Sequence, residues 1–281
     1  MKKTKNMRNI LFGILTLFII CCGSNDAKKE NKNNNSENTE FIWNFSKKKK
    51  FIYSYSQTVN GTNKMDKDRP ADKSLMNGKG YLNVRVKENN LADLSLTDLE
   101  IDMIMFNENG TPKDTMSNKT PATVIQDMKP NGSFTDPNSN VMFDLLFPLP
   151  ASGLKVGESD KISMQIPFNA NGSRLFSKGF NELTFKGYET IEGRKCAVLK
   201  GKIDISELEI PEELKGEYKS STTGLATYYF DLKNHYYVGA DIQMLMEVMM
   251  DSETEDENDF GMFMEMTSDN VFKIRLKKIE E

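Results

Sequence analysis

The chain has 281 residues, with 37 Lys and Arg against 41 Asp and Glu, a formal charge of −4 and one histidine. An acidic balance argues against nucleic-acid binding, which relies on clustered cations, and a lone histidine argues against a zinc site built on imidazoles. Three cysteines are present, two of them side by side near the start, so no internal disulfide is expected to staple the fold.

The chain opens on a basic and then apolar stretch. Lys2, Lys3, Lys5 and Arg8 precede a short apolar run ending in Ile19-Ile20-Cys21-Cys22, whereas a bilayer crossing needs roughly 20 apolar residues. The pattern predicts an export signal over 1–21 whose cut site resembles a bacterial lipobox. Cys22 is the expected lipidated residue, because the residue before the cut should be small and Cys21 is smaller than Ile20. A diacylglyceryl thioether and an amide-linked fatty acid such as palmitate anchor a protein without a spanning helix, at about 0.8 kcal/mol per buried methylene. Loss of the leader's four cations leaves 33 basic against 41 acidic residues.

Residues 22–40 hold one Ala and no larger apolar residue after Cys22, so they cannot bury enough surface to fold and read as a tether. One acid among Gly23, Ser24, Asn25 and Asp26 is not the acidic cluster of a surface-export signal. The expected location is therefore the bacterial cell envelope, lipid-anchored on the outer membrane and facing the periplasm. Lys47 to Lys50 keep a strand entrance soluble or touch anionic headgroups a tether's length away.

From residue 41 to 281 the dominant period is two, the spacing of β-strands. Phe51, Tyr53, Tyr55 and Val59 alternate with polar neighbours, as do Leu82, Val84 and Val86. Leu94 and Leu96 give way to Leu99, Ile101, Met103 and Met105, a switch of parity that predicts a bulge near Thr97-Asp98. Further strands are expected near 121–128, 159–166, 181–191 and 195–204. Pro130-Asn131-Gly132 and Glu192-Gly193 suit turns with positive backbone angles. Helix is scarce: a short one is expected from Asn138 or Ser139 to before Pro148, and another turn or two over Ser206 to Leu214.

Two long antiparallel strands end the chain. Val238 to Met250 share one apolar parity, and Phe260 to Leu276 form the returning arm. Between them, Asp251 to Asp259 carries six acids in nine residues; it lacks the glycine and ligand spacing of an EF-hand and reads as a solvated tip. The fold class is accordingly all-β with minor helix, a curved, mostly antiparallel sheet forming a partial barrel or cup in one or two lobes.

Four stretches carry a resemblance: Phe147-Pro148-Leu149-Pro150, Lys155-Val156-Gly157-Glu158-Ser159, Gly193-Arg194-Lys195-Cys196-Ala197-Val198-Leu199 and Tyr229-Phe230-Asp231. Together they resemble an uncharacterised family of β-rich bacterial lipoproteins, except that Asp160 stands where that family has an aromatic residue. More distantly the architecture resembles the periplasmic lipoprotein carriers, whose half-barrel shelters an acyl chain. The resemblance implies a lipid-anchored envelope protein.

No catalytic constellation emerges. His235 sits in Lys233-Asn234-His235, where a hairpin turns, and no Gly-x-Ser-x-Gly elbow accompanies it. The expectation is a non-enzymatic protein without a cofactor. Met244, Met246, Met262, Met264, Met266 and Phe272 share one strand face and are the candidate lining for an apolar or amphiphilic ligand, since thioethers adapt to varied shapes. The same methionines can instead fill a solid core in a structural or interaction protein, or offer soft sulfur to Cu(I). Cys196 reads as a small buried hydrophobe.

Overall fold

The computed structural model describes residues 39–47, 49–134, 145–170, 173–212, 214–252 and 263–281. Eleven strands build one sheet: β1 Lys50–Lys64, β2 Asp72–Val86, β3 Ala92–Phe106, β4 Pro112–Thr120, β5 Thr123–Met128, β6 Ser159–Ala170, β7 Ser173–Ile191, β8 Arg194–Glu209, β9 Gly216–Asp231, β10 Tyr236–Ser252 and β11 Phe263–Glu280. Their spatial order is β4-β3-β2-β1-β11-β10-β9-β8-β7-β6, with β5 also on β3. Every pairing among the described strands is antiparallel, and the first strand pairs with the last through Lys50–Glu280 to Lys64–Glu265. β3 gives one half of its outer edge to β4 and the other to β5. The sheet is open rather than a closed barrel. Within it the two-residue period puts one parity of β10, from Val238 to Met250, on the buried face and leaves Gln243, Leu245 and Glu247 exposed.

The predicted bulge is present. Thr97 pairs with Tyr81 and Glu100 with Lys79, so Asp98 and Leu99 together face Gly80, and Asp98 takes a positive φ of 51°. Gly80 is needed there because an added Cβ would stand 2.9 Å from the Thr97 carbonyl oxygen. The turn at Glu192-Gly193 has φ of 49° and 77°, Gly132 has 80°, and His235 closes its hairpin at 58°. Of the helical turns expected over Ser206 to Leu214, the described residues show one at the end, where the Leu214 amide donates to the Pro211 carbonyl at 3.0 Å, while Ser206 to Glu209 are strand. β8 runs on to Glu209 because its far half still has a partner: Leu208 pairs with Ser177 and Glu209 with Phe176, and Lys178 meets the Glu209 carboxylate at 2.5 Å. A ladder with a waiting edge overrides weak local preference. Of the helix expected before Pro148, Leu145 and Leu146 are helical; its start lies outside the described residues, as do the signal, the tether as far as residue 38 and most of the acidic tip.

The core gathers at one end of the buried face. Two irregular segments, 39–46 and 145–154, cross the strands there and bridge each other at Thr39–Leu154. Trp43, 1% exposed, has ring centroids of Phe51, Phe147 and Tyr237 within 5.7–5.8 Å. Phe41 packs on Phe185 of β7 and Phe230 of β9. Such aromatic contacts add to the area they bury. A buried irregular backbone needs partners for its carbonyls, and the sheet supplies tyrosines: Tyr228 donates to the Leu145 carbonyl at 2.8 Å, Tyr237 to that of Pro148. These segments plug the strand ends that they meet, the plugged end of the sheet. The four landmark stretches of the sequence converge on it: Phe147 stacks on Tyr237 at 5.0 Å, the Gly157 amide donates to the Phe185 carbonyl at 2.7 Å, and Cys196 pairs with Asp231.

Candidate functional site

The opposite end of the same face carries the methionines. Residue pairing brings Met250 opposite Met264, Val248 opposite Met266, Met246 opposite Ser268 and Met244 opposite Asn270. Met244, Met246 and Met264 are 3%, 8% and 4% exposed and Phe272 2%; Met266 is half-buried. Met262 and Cys22 lie outside the described residues.

The candidate residues do not form one cluster. Met244 and Phe272 belong to the large aromatic core. Met246 and Met264 belong to a second apolar cluster with Leu175, Tyr218, Val248 and Met250, against which Leu208, Leu214 and Met266 pack. Met250, Leu175 and Tyr218 were not among the sequence candidates. Met250 shares the parity of Met244 and was legible; Leu175 and Tyr218 sit on strands whose polar neighbours hide their period.

Buried polar side chains lie beside the boundary between the clusters: Ser268 and Asn270 on β11, Thr222 on β9, Ser177 and Asn181 on β7. The Asn270 amide donates to the Ser268 hydroxyl at 2.9 Å and to its carbonyl at 3.1 Å. Asn181 donates to the Tyr228 hydroxyl at 3.1 Å, while its own Oδ1 lies where it would stand 2.6 Å from a Cβ added at Gly201. Gly224 faces Met244, and an added Cβ there would meet the Met244 side chain at 2.8 Å. Small and polar residues thus give the methionine its room. Tyr218 at the far end donates to the Lys215 carbonyl at 3.1 Å, and burial pushes its phenol upward from the ordinary value.

This surface is chemically soft: thioethers, aliphatic groups and a phenol, which fit hydrocarbon. Among the described residues no group of three or more His, Cys, Asp or Glu side chains is placed to hold a metal ion, and no helix among them is long and apolar enough to cross a membrane. Cys196 is free and fully buried, and desolvation above all raises its thiol to about 11.

The opposite, solvent face holds a recess of about 520 Å³ that the sequence reading missed, lined among others by Lys200, Leu225, Thr227, Asp241, Gln243 and Lys273. Leu225 is 69% exposed and Leu245 41%. Both break the polar parity of their strands, which is the signal that marks them. Arg275 clamps Asp241 at the rim through two 2.7 Å contacts.

No protein-family model matches the chain, and no curated protein is significantly similar to it. Among solved structures it is similar to lipovitellin, from a study of its lipid–protein interactions, at 8% identity and a TM-score of 0.40, over 84% of this chain and 26% of that one. The chain thus spans about a quarter of lipovitellin's length. A Vibrio parahaemolyticus domain described as an outer membrane lipoprotein-sorting protein aligns over 81% of this chain and 84% of its own, at 9% identity and a TM-score of 0.15. Neither TM-score reaches one half, so neither fixes what this chain binds.

Proposed function

We propose that the chain is a bacterial envelope lipoprotein, held on the outer membrane through lipid on Cys22 and facing the periplasm, that binds an apolar or amphiphilic ligand without reacting with it. The observation that supports a binding role is the second apolar cluster around Met246, Met250 and Met264. It is separate from the plugged aromatic core, and it is built from the side chain best able to repack around a guest. Ligand contact falls to Met246, Met264 and Met266 of this cluster, with Met244 and Phe272 of the adjoining aromatic core behind them.

Native mass spectrometry of protein taken from its own membrane tests this. A lipid-sized adduct that dissociates on denaturation is expected. A bare protein mass, with no uptake of a hydrophobic dye by the delipidated protein, overturns the reading.

A second reading, a structural or interaction lipoprotein with a filled core, is favoured by the low exposure of Met244, Met246 and Met264 and by the outer recess with its exposed Leu225. Substitutions that enlarge the methionine side chains separate the two.

A further inference from the structure

One end of the sheet sets exposed apolar side chains beside exposed lysines. At the plugged end, Phe41, Trp43 and Phe45 turn inward while Ile42, between them, stays 40% exposed. Two more exposed apolar residues share its surroundings. Tyr188, 47% exposed, packs its ring on Phe185 at 5.4 Å, and Phe41 meets the same ring at 5.5 Å. Val156, 58% exposed, precedes Gly157, whose amide donates to the Phe185 carbonyl. Phe185 thus packs against Tyr188 and meets the segments that carry Ile42 and Val156 through Phe41 and Gly157.

Exposed lysines accompany them. Lys47 and Lys155 project at this end, and the Lys195 ammonium lies 4.4 Å from the Tyr188 ring centroid. Of the neighbouring acids, a Glu158 carboxylate oxygen accepts from the Lys155 amide at 2.9 Å and Glu192 stands 3.7 Å from Arg194, while Glu40 and Glu189 are exposed. The other end carries Asp66, Asp68, Glu212 and Asp251, of which Asp66 stands 3.3 Å from Arg69 and Asp251 is paired with Lys67, and it exposes Met65 and Ile210.

An aromatic ring and aliphatic tips beside ammonium groups suit the boundary between headgroups and hydrocarbon, and Thr39, bridged to Leu154, brings the chain into the domain at this end. We infer that the plugged end is a bilayer-facing surface that takes anionic lipid headgroups between Lys47, Lys155 and Lys195, with Ile42, Val156 and Tyr188 seated at the interface. The inference rests on the envelope-lipoprotein reading, because it orients the domain on the membrane that the anchor supplies, with the methionine cluster pointing away.

The test removes the anchor. All described core side chains lie at or beyond Phe41, so a chain that starts at residue 22 and carries Cys22→Ser keeps the core whole and has neither leader nor lipid. It is sedimented with phosphatidylcholine vesicles with and without phosphatidylglycerol, at low and high salt. Binding is expected only with phosphatidylglycerol and is lost in high salt. Reversing Lys47, Lys155 and Lys195 to Glu together should weaken it by about tenfold or more, and Ile42→Ser should weaken it too. Lys113→Glu, on β4 at the end away from the plug, should leave it unchanged, and thermal melts confirm that each variant is folded. Absence of binding, equal binding to neutral vesicles, or an equal loss in Lys113→Glu overturns the inference, and capture only of a protein partner at this end does so as well. The anchor reading fails separately, if Cys22→Ser in the full chain leaves membrane attachment in cells intact.

Discussion

Tyr228 holds Leu145: the phenol on β9 donates to the Leu145 carbonyl at 2.8 Å and accepts from the Asn181 amide of β7 at 3.1 Å. One hydroxyl therefore ties two strands of the sheet to the irregular segment that fills it. Tyr228→Phe keeps the ring and its packing but leaves a buried carbonyl and a buried amide without this partner. Each such loss costs about 1–3 kcal/mol. A melting temperature lower by several degrees is expected, read by circular dichroism. An unchanged melt would show that water replaces the hydroxyl.

Burial raises the phenols of Tyr53, Tyr55, Tyr228 and Tyr237 above the ordinary value, with desolvation the largest cause in each. A raised acid pKa means that the folded state keeps a proton which the unfolded chain releases. The stabilisation is therefore whole below the unfolded value, about 10 for tyrosine, and is lost as pH rises beyond it toward the folded values. Melting temperature should hold from neutral pH to about 9 and then fall steeply. Tyr55→Phe removes one of these groups and should flatten that fall, provided the loss of the 2.9 Å bond to Gln57 is measured at neutral pH and subtracted. The same slope in both proteins would count against burial as its cause.

Cys196 is 0% exposed with its thiol raised to about 11, so thiolate is scarce at neutral pH and reagents have no path to it. Native-state labelling should be slow and should accelerate only on unfolding. Cys196→Ala should fold with a loss of about 1 kcal/mol, the scale of removing one small buried group. Fast labelling of the native protein would contradict the structural role.

How far the sequence reached depended on how each strand treats its two faces. β10 and the half of β11 from Phe272 onward bury one face and expose the other, so their period is clean. The bulge at Asp98 was legible for the same reason: its residues sit on a half-buried strand where a slip moves apolar side chains to the wrong side. β4, with exposed Lys113, Asp114, Ser117 and Asn118, left no period to read, because an edge strand is kept polar on both faces. The first half of β9 was hidden by Thr222, Gly224 and Ser220, which line the buried face as small or polar residues. The candidate site was read as one methionine surface for a related reason. Parity tells which face a residue takes, but it does not tell where along that face Asn270 and Ser268 interrupt the apolar contacts.

Cys22→Ser tests the anchor. With the thioether lost, the protein should pass to the soluble fraction or remain unprocessed with its leader attached. Metabolic labelling with a radioactive fatty acid is the readout, and lipid retained on the variant would move the assignment to Cys21.

The last prediction separates a ligand-lined face from a filled one. Met246 and Met264 lie in the same cluster but on different strands, Met246 opposite Ser268 and Met264 opposite Met250, so Trp at either position thrusts its bulk into the same small volume from another direction. If that volume is filled by protein alone, each insertion overpacks a close-packed interior at about 1–3 kcal/mol, and the melt should drop by several degrees in both variants. If it opens to admit a ligand, the indole occupies the guest's place. The melt is then preserved while uptake of a hydrophobic dye is lost, and the loss should be greater in the double variant. Met103→Trp on β3, half-buried and outside both clusters, is the control for a general effect of indole on dye signal. Preserved melting with lost uptake in Met246→Trp and Met264→Trp supports a carrier. A lowered melt, in a parent protein that takes up no dye, leaves the methionines as core and shifts the function to the outer face around Leu225.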